Sequence, residues 1–142
     1  MFFYKIEESF AEYPSAGNYE GDLVTIVSDS EFENMIPSLK LGKNEIPNYK
    51  NAQCCRAKVH PSGISGCFSS ISKDKKMERH NFGFIIRHGS IIFIDNNDFV
   101  KAIIKKMKKN KFHGGVKIGR FLYDFLETII ENDLRYLEEM GD

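Results

Sequence analysis

Residues 82–87 (Phe82-Gly83-Phe84-Ile85-Ile86-Arg87) and 90–95 (Ser90-Ile91-Ile92-Phe93-Ile94-Asp95) are two β-branched and aromatic runs separated only by His88-Gly89. A two-residue connection ending in glycine is the shortest hairpin link, so the two runs are adjacent antiparallel strands. Their unbroken apolar character predicts a hairpin at the centre of a sheet and buried there. Past Asp95 the apolar period changes from two to about 3.6: Phe99, Val100, Ile103, Ile104 and Met107 share one helical face, and Lys101, Lys105, Lys106, Lys108 and Lys109 take the other. Asn96 or Asn97 is the expected cap.

The remainder of the chain is read outward from that core. Phe2, Tyr4 and Ile6 alternate with Phe3, Lys5 and Glu7 as in a first strand, and Leu23-Val24-Thr25-Ile26-Val27 is short enough for a buried second one. The segment 13–18, with Tyr13-Pro14 and Gly17-Asn18, carries turn chemistry. Ser28 and Glu31 have capping-box spacing into a helix over 29–41, in which Pro37 predicts a kink or an early stop. Residues 42–51 read as loop. Turn signals at 60–63, 73–76 and 88–89 divide 53–97 into four antiparallel strands. After 110–115, a longer helix starts near Lys117 and carries Ile118, Phe121, Leu122, Phe125, Leu126, Ile129, Ile130, Leu134, Leu137 and Met140, an unusually wide apolar stripe. The expected fold class is α+β with α/β/α layers: a largely antiparallel sheet of about six strands, helices packed on it, and a long acidic helix at the end.

With 142 residues the chain has the size of one domain, which buries roughly 68% of the surface its unfolded form exposes. Twenty basic and twenty acidic residues cancel, so overall charge points to neither nucleic acid nor a membrane surface. The zero conceals a segregation. Residues 1–33 hold one base and eight acids, 34–120 eighteen bases and five acids, and 121–142 one base and seven acids. No apolar stretch approaches the roughly 20 residues of a membrane helix, and the first residues lack the features of a secretory signal. Three cysteines, Cys54, Cys55 and Cys67, form no even-numbered disulfide framework and suit a reducing compartment, so the cytoplasm is expected.

Few motifs carry chemistry. His113-Gly114-Gly115-Val116 is too short for a phosphate loop, and Gly63-Ile64-Ser65-Gly66-Cys67 lacks the spacing of a nucleophile elbow. Adjacent Cys54 and Cys55 would point to opposite faces of a strand, which favours buried or half-buried free thiols over zinc ligands shared with His60 and Cys67. His60, His80, His88 and His113 lie in or beside expected turns and read as surface histidines. No nucleophile, base and orienting group can be assembled, and no enzyme is expected. The lysine run from 101 to 117 reads as a solvated helix face before it reads as a nucleic-acid contact. Glu127 and Glu131, four apart on the last helix with Asp124 and Asp133 at the edges, repel unless a cation sits between them, and a loose carboxylate cluster suffices for a hard ion such as magnesium. From spacing alone a solvated acidic face is favoured, with a cation site as the alternative.

The order of these elements has a counterpart. The hairpin Phe84-Ile85-Ile86-Arg87-His88-Gly89-Ser90-Ile91-Ile92-Phe93-Ile94, the basic helix, and then Leu122-Tyr123-Asp124-Phe125-Leu126-Glu127-Thr128-Ile129-Ile130-Glu131 resemble the cytosolic domain of CorA-like magnesium transporters over roughly residues 53–140. The resemblance implies residues 1–142 as a single cytosolic regulatory domain, a fragment of a longer transporter on the cytoplasmic side of the cell membrane. Such a domain senses Mg2+ or another divalent cation and gates a pentameric pore, with self-association and membrane attachment through C-terminal helices beyond these residues. It also implies Glu131, and beside it Glu127, as candidate metal ligands, although Glu stands where the family commonly has Asp and Asn132 is uncharged. The family's Gly-Met-Asn pore signature does not occur in these residues. The alternative is a stand-alone soluble module that binds an acidic partner or nucleic acid through the lysine-rich helix.

Overall fold

The computed structural model describes residues 2–6, 10–13, 22–52, 55–71, 79–87, 89–109 and 118–140. Seven strands form one sheet: β1 (Phe2–Ile6), β2 (Phe10–Tyr13), β3 (Asp22–Val27), β4 (Arg56–His60), β5 (Gly63–Ile71), β6 (Arg79–Arg87) and β7 (Ser90–Ile94). Their spatial order is β2-β1-β3-β7-β6-β5-β4, so β7 occupies the middle. Every neighbouring pair is antiparallel except β3 with β7, where Leu23 to Val27 run parallel to Ser90 to Ile94. The sheet is thus largely antiparallel, as expected, with seven strands in place of about six. The additional strand is β2, whose four residues pair with β1 from Phe3↔Tyr13 to Ile6↔Phe10. So short a run carries little intrinsic strand preference and is held by its partner.

The hairpin is where the sequence put it. Arg87 pairs with Ser90 across the two-residue turn, and Gly89 adopts φ 75°, a conformation that glycine enters without steric cost. Alternation then divides the apolar side chains between two layers. Val24, Ile26, Phe82, Phe84, Ile91 and Phe93 face α2 (Phe99–Lys109) and α3 (Ile118–Met140). Val27, Cys67, Ile85, Ile92 and Ile94 face α1 (Asp29–Leu39), where they meet Phe32, Met35, Ile36 and Leu39. This is the α/β/α arrangement. The α2/α3 side is dominated by rings: Phe125 stacks on Phe93 at 4.9 Å and meets Phe82 edge-on at 6.1 Å, with Phe121 stacked on Phe125 at 5.8 Å.

α1 is capped as its sequence requires. Ser28 Oγ accepts from the Glu31 N–H at 3.3 Å, and the Glu31 carboxylate accepts from the Ser28 N–H at 3.0 Å. Pro37 lies inside the last turn, and the helix stops two residues later with Lys40 in the left-handed region at φ 53°, the early stop that the missing proline donor predicts. Arg87 Nη1 donates to the Leu39 carbonyl at 2.7 Å, tying that end to the central hairpin.

The cap of α2 corrects the sequence reading. Asp95, not Asn96 or Asn97, accepts from the Val100 N–H through Oδ2 at 2.7 Å and from the Asn97 N–H through Oδ1 at 3.0 Å. Asn96 turns instead to α1, accepting from the Asp29 N–H at 2.8 Å and donating to Asp29 Oδ2 at 2.6 Å. After α1, a 3-10 turn (Lys43–Glu45) leads into a stretch that lies over the sheet. Asn81 Nδ2 donates to the Ala52 carbonyl at 2.9 Å, and a Cβ on Gly83 would come within 2.8 Å of the Tyr49 ring, so only glycine admits this loop.

Two outcomes follow. Phe125→Ala, which empties a fully buried ring site, lowers unfolding free energy by about 3–5 kcal/mol, measured by urea denaturation. The Ser28 N–H holds the Glu31 carboxyl below its ordinary value of 4.5. A depressed folded value stabilises above the unfolded one and is lost as pH falls through the folded one. The stability difference between the parent protein and Glu31→Gln is therefore largest near neutral pH and shrinks toward zero in acid, read from denaturation midpoints across pH.

Candidate metal site on the last helix

α3 buries Phe121, Phe125, Thr128 and Ile129 against the sheet and α2, leaving its opposite face to solvent. Tyr123 and Ile130 are 60% and 55% exposed, and Glu127 and Glu131 are exposed with them. At about 100° per residue, Tyr123, Glu127 and Ile130 fall within one narrow outward wedge, with Glu131 at its margin. Ile130, counted in the apolar stripe from periodicity, therefore belongs to this outer face and not to the core. The side chains of Ile118, Leu134, Leu137 and Met140 lie outside the described residues.

The acids of this helix divide into two kinds. Asp124 is largely buried and has an ionic partner one turn back, its Oδ2 lying 3.4 Å from Arg120 Nε. The same guanidinium lies 5.2 Å over the Tyr123 ring. Glu127 and Glu131 stand one turn apart, where side chains are neighbours about 5–6 Å apart at Cβ. Two adjacent carboxylates fit what a hard divalent ion takes from a protein when it keeps most of its water. Asp124 is directed to Arg120 and is not added to them, and the side chain of Asp133 is outside the described residues. Among the described residues no group of three or more His, Cys, Asp and Glu side chains converges as a metal cage. A cation held here would take at most Glu127 and Glu131 as protein ligands from the described residues of a single chain.

Other singled-out residues are dispersed. Cys67 is buried on the α1 side, whereas Cys55 is exposed with Sγ 3.9 Å from the Ser69 carbonyl, against the expectation of a buried or half-buried thiol. Cys54, His88 and His113 lie outside the described residues. His80 is within β6, not in a turn, and its ring stacks on Phe99 at 5.2 Å. His60, at the end of β4, has Nε2 2.9 Å from Ser65 Oγ, a pairing that local spacing did not suggest. On the outer face of α2, Lys105 is exposed and Lys101 and Lys106 are half-buried. Among the described residues no helix is long and apolar enough to cross a membrane.

Comparison with known proteins bears on this arrangement through its fold. No family model and no curated protein matches the sequence. Solved structures do match. The soluble domain of CorA from Methanocaldococcus jannaschii superposes with a TM-score of 0.70 at 13% identity, covering 100% of this chain and 60% of that one. The complete CorA magnesium transporter from the same organism gives 0.70 at 13%, covering 99% and 47%. The ZntB cytoplasmic domain from Vibrio parahaemolyticus RIMD 2210633 gives 0.73 at 7%, covering 99% and 62%. The chain has the fold of the CorA and ZntB cytoplasmic domains, the likeness that its hairpin, basic helix and final helix suggested. It spans between 47% and 62% of those chains' lengths.

Because Glu127 and Glu131 repel in the absence of a cation, Glu131→Gln raises unfolding free energy by a few tenths of a kcal/mol in chelator-treated, low-salt buffer, and high salt removes the difference. Paired urea titrations measure it.

Proposed function

We propose that residues 1–142 are the cytosolic regulatory domain of a CorA-like magnesium or other divalent-cation transport protein, gating a membrane pore built by residues outside this sequence. The observation that carries the reading is the superposition of the whole chain on the soluble domain of CorA. The outward face of α3 supports it. Exposed tyrosine and isoleucine beside two unburied carboxylates suit a surface that meets another copy, as a pentamer requires.

In this reading Glu127 and Glu131 supply oxygen ligands, and facing groups of a neighbouring copy or water supply the rest. A bound cation neutralises the repulsion along α3 and holds the copies together, and its loss loosens them. Sensing then needs only a modest affinity difference between two arrangements of the assembly. The domain performs no covalent chemistry.

Thermal melts in increasing magnesium chloride, set against ionic-strength-matched sodium chloride, test the metal step. Binding to the folded state raises Tm as concentration exceeds Kd, and Glu131→Ala reduces the rise. No difference between the salts at millimolar magnesium overturns regulatory metal binding. The transporter reading itself is tested by the gene: two apolar stretches of about 20 residues are expected after Asp142, and a stop codon there overturns it.

A further inference from the structure

β3 and β7 run parallel at the middle of the sheet, and the helices that follow them leave in opposite directions, α1 to one face and α2 to the other. Where two such strands send their chains apart, a crevice opens outside their carboxyl ends, the usual place for ligands in layered α/β sheets. Asp29, just beyond β3, and Asn96, just beyond β7, meet at this point.

Asp29 is spared the usual duty of an acid in a first helical turn. Ser28 and Glu31 close the capping box between themselves, and the Asp29 carboxylate takes its one hydrogen bond from Asn96 Nδ2, at Oδ2. Lys50 Nζ comes only to 3.8 Å from the same oxygen, an ionic contact too long for a hydrogen bond. Oδ1 is shielded from water and has no partner. A carboxylate oxygen in that state costs free energy until a donor reaches it.

Asp29 borders a cavity of about 390 Å³ between α1 and the loop that follows it. Phe32, Ile36, Ile46, Pro47 and Tyr49 give it apolar walls, and its size lies in the range that small organic ligands occupy. Glu33, one turn along α1 from Asp29 and so beside it, also lines the cavity and has no hydrogen-bond or ionic partner among the described residues. Lys43 borders it too, but it belongs to the turn beyond the far end of α1. The Asp29 end therefore holds two carboxylates against one loosely held lysine that is 62% exposed.

We propose that this cavity binds a small organic cation, a primary amine with an apolar body, whose ammonium donates to Asp29 and Glu33 and displaces the Lys50 head. An ammonium carries three donors and no acceptor, which suits a pair of neighbouring carboxylates, and apolar walls strengthen the contact by excluding water. A metal ion fits less well, since it leaves those walls unused and no three metal-binding groups converge among the described residues. The site lies on the α1 side of the sheet, opposite α3, and stands whether or not the chain serves a transporter.

The test is calorimetric titration of the whole chain with phenethylamine, with 2-phenylethanol and 3-phenylpropionate as neutral and anionic probes of like shape, at matched ionic strength. The amine binds, raises Tm and shifts the amide resonances of Glu33 and Tyr49, while the alcohol binds about tenfold more weakly and the acid more weakly still. Glu33→Gln, at an exposed position, weakens amine binding about tenfold without changing the Tm of the ligand-free protein. Lys50→Gln, which removes the competing ammonium, tightens it, an effect that loss of structure cannot imitate. Glu138→Gln, an equal charge change on α3, leaves it as it was. The proposal is overturned by equal binding of amine and alcohol, by preference for the acid, by no amine binding at millimolar concentration, by binding that Glu33→Gln leaves intact, or by weaker binding in Lys50→Gln.

Discussion

β7 carries apolar side chains on both of its faces, and both have to be removed from water. Ile91 and Phe93 project into the phenylalanine layer under α2 and α3, while Ile92 and Ile94 project under α1. A strand in that situation cannot sit at an edge, and it cannot be covered by one helix layer. Its position in the middle of the sheet follows, as does the need for neighbours of different origin: β6 through the tight hairpin, and β3 in parallel, brought back from the start of the chain. The end of β7 also aligns the helices. The Asp95 N–H extends the ladder to the Val27 carbonyl at 2.9 Å, its carboxylate caps α2, and Asn96 grips the first turn of α1. Two consecutive residues thereby convert a strand end into the junction of all three layers.

Much of this was legible because the pattern was local. The four strands from β4 to β7, the capping box at Ser28 and the buried face of α2 each depend on residues close together in the chain, and periodicity or turn chemistry is enough to place them. β2 was not legible because Phe10, Ala11, Glu12 and Tyr13 form a strand only through their pairing with β1. The cap of α2 was missed for a related reason. Asparagine next to a helix is a good cap in isolation, but Asn96 is recruited by Asp29, 67 residues away in sequence, and Asp95 fills the vacancy from the strand side.

The final helix illustrates the same limit at the level of function. Its heptad-like spacing marks Ile130 as core by periodicity, yet the helix meets the sheet along a narrower band centred on Phe121, Phe125 and Ile129. What periodicity counted as width is two surfaces, one against this chain's own sheet and one turned away from it. Glu127 and Glu131 were readable as a pair, since four-residue spacing fixes their proximity on any helix. That Asp124 is not a third member was not readable, because that depends on where the Arg120 guanidinium rests between Tyr123 and the carboxylate.

The charge segregation acquires a physical sense once the elements are in place. The basic middle third is not one patch. Lys101, Lys105 and Lys106 lie on the outer face of α2, whose apolar face packs with α3 under the sheet, whereas Arg56 and Lys58 are on the far edge strand and the opposite side of the sheet. A chain with zero net charge therefore carries its carboxylate pair on one helix and these basic residues on separate elements. α3, about 10 Å across with its side chains, and the sheet beneath it stand between the outward Glu127–Glu131 face and the opposite side of the sheet, more than the roughly 10 Å over which exposed charges act on each other at ordinary salt.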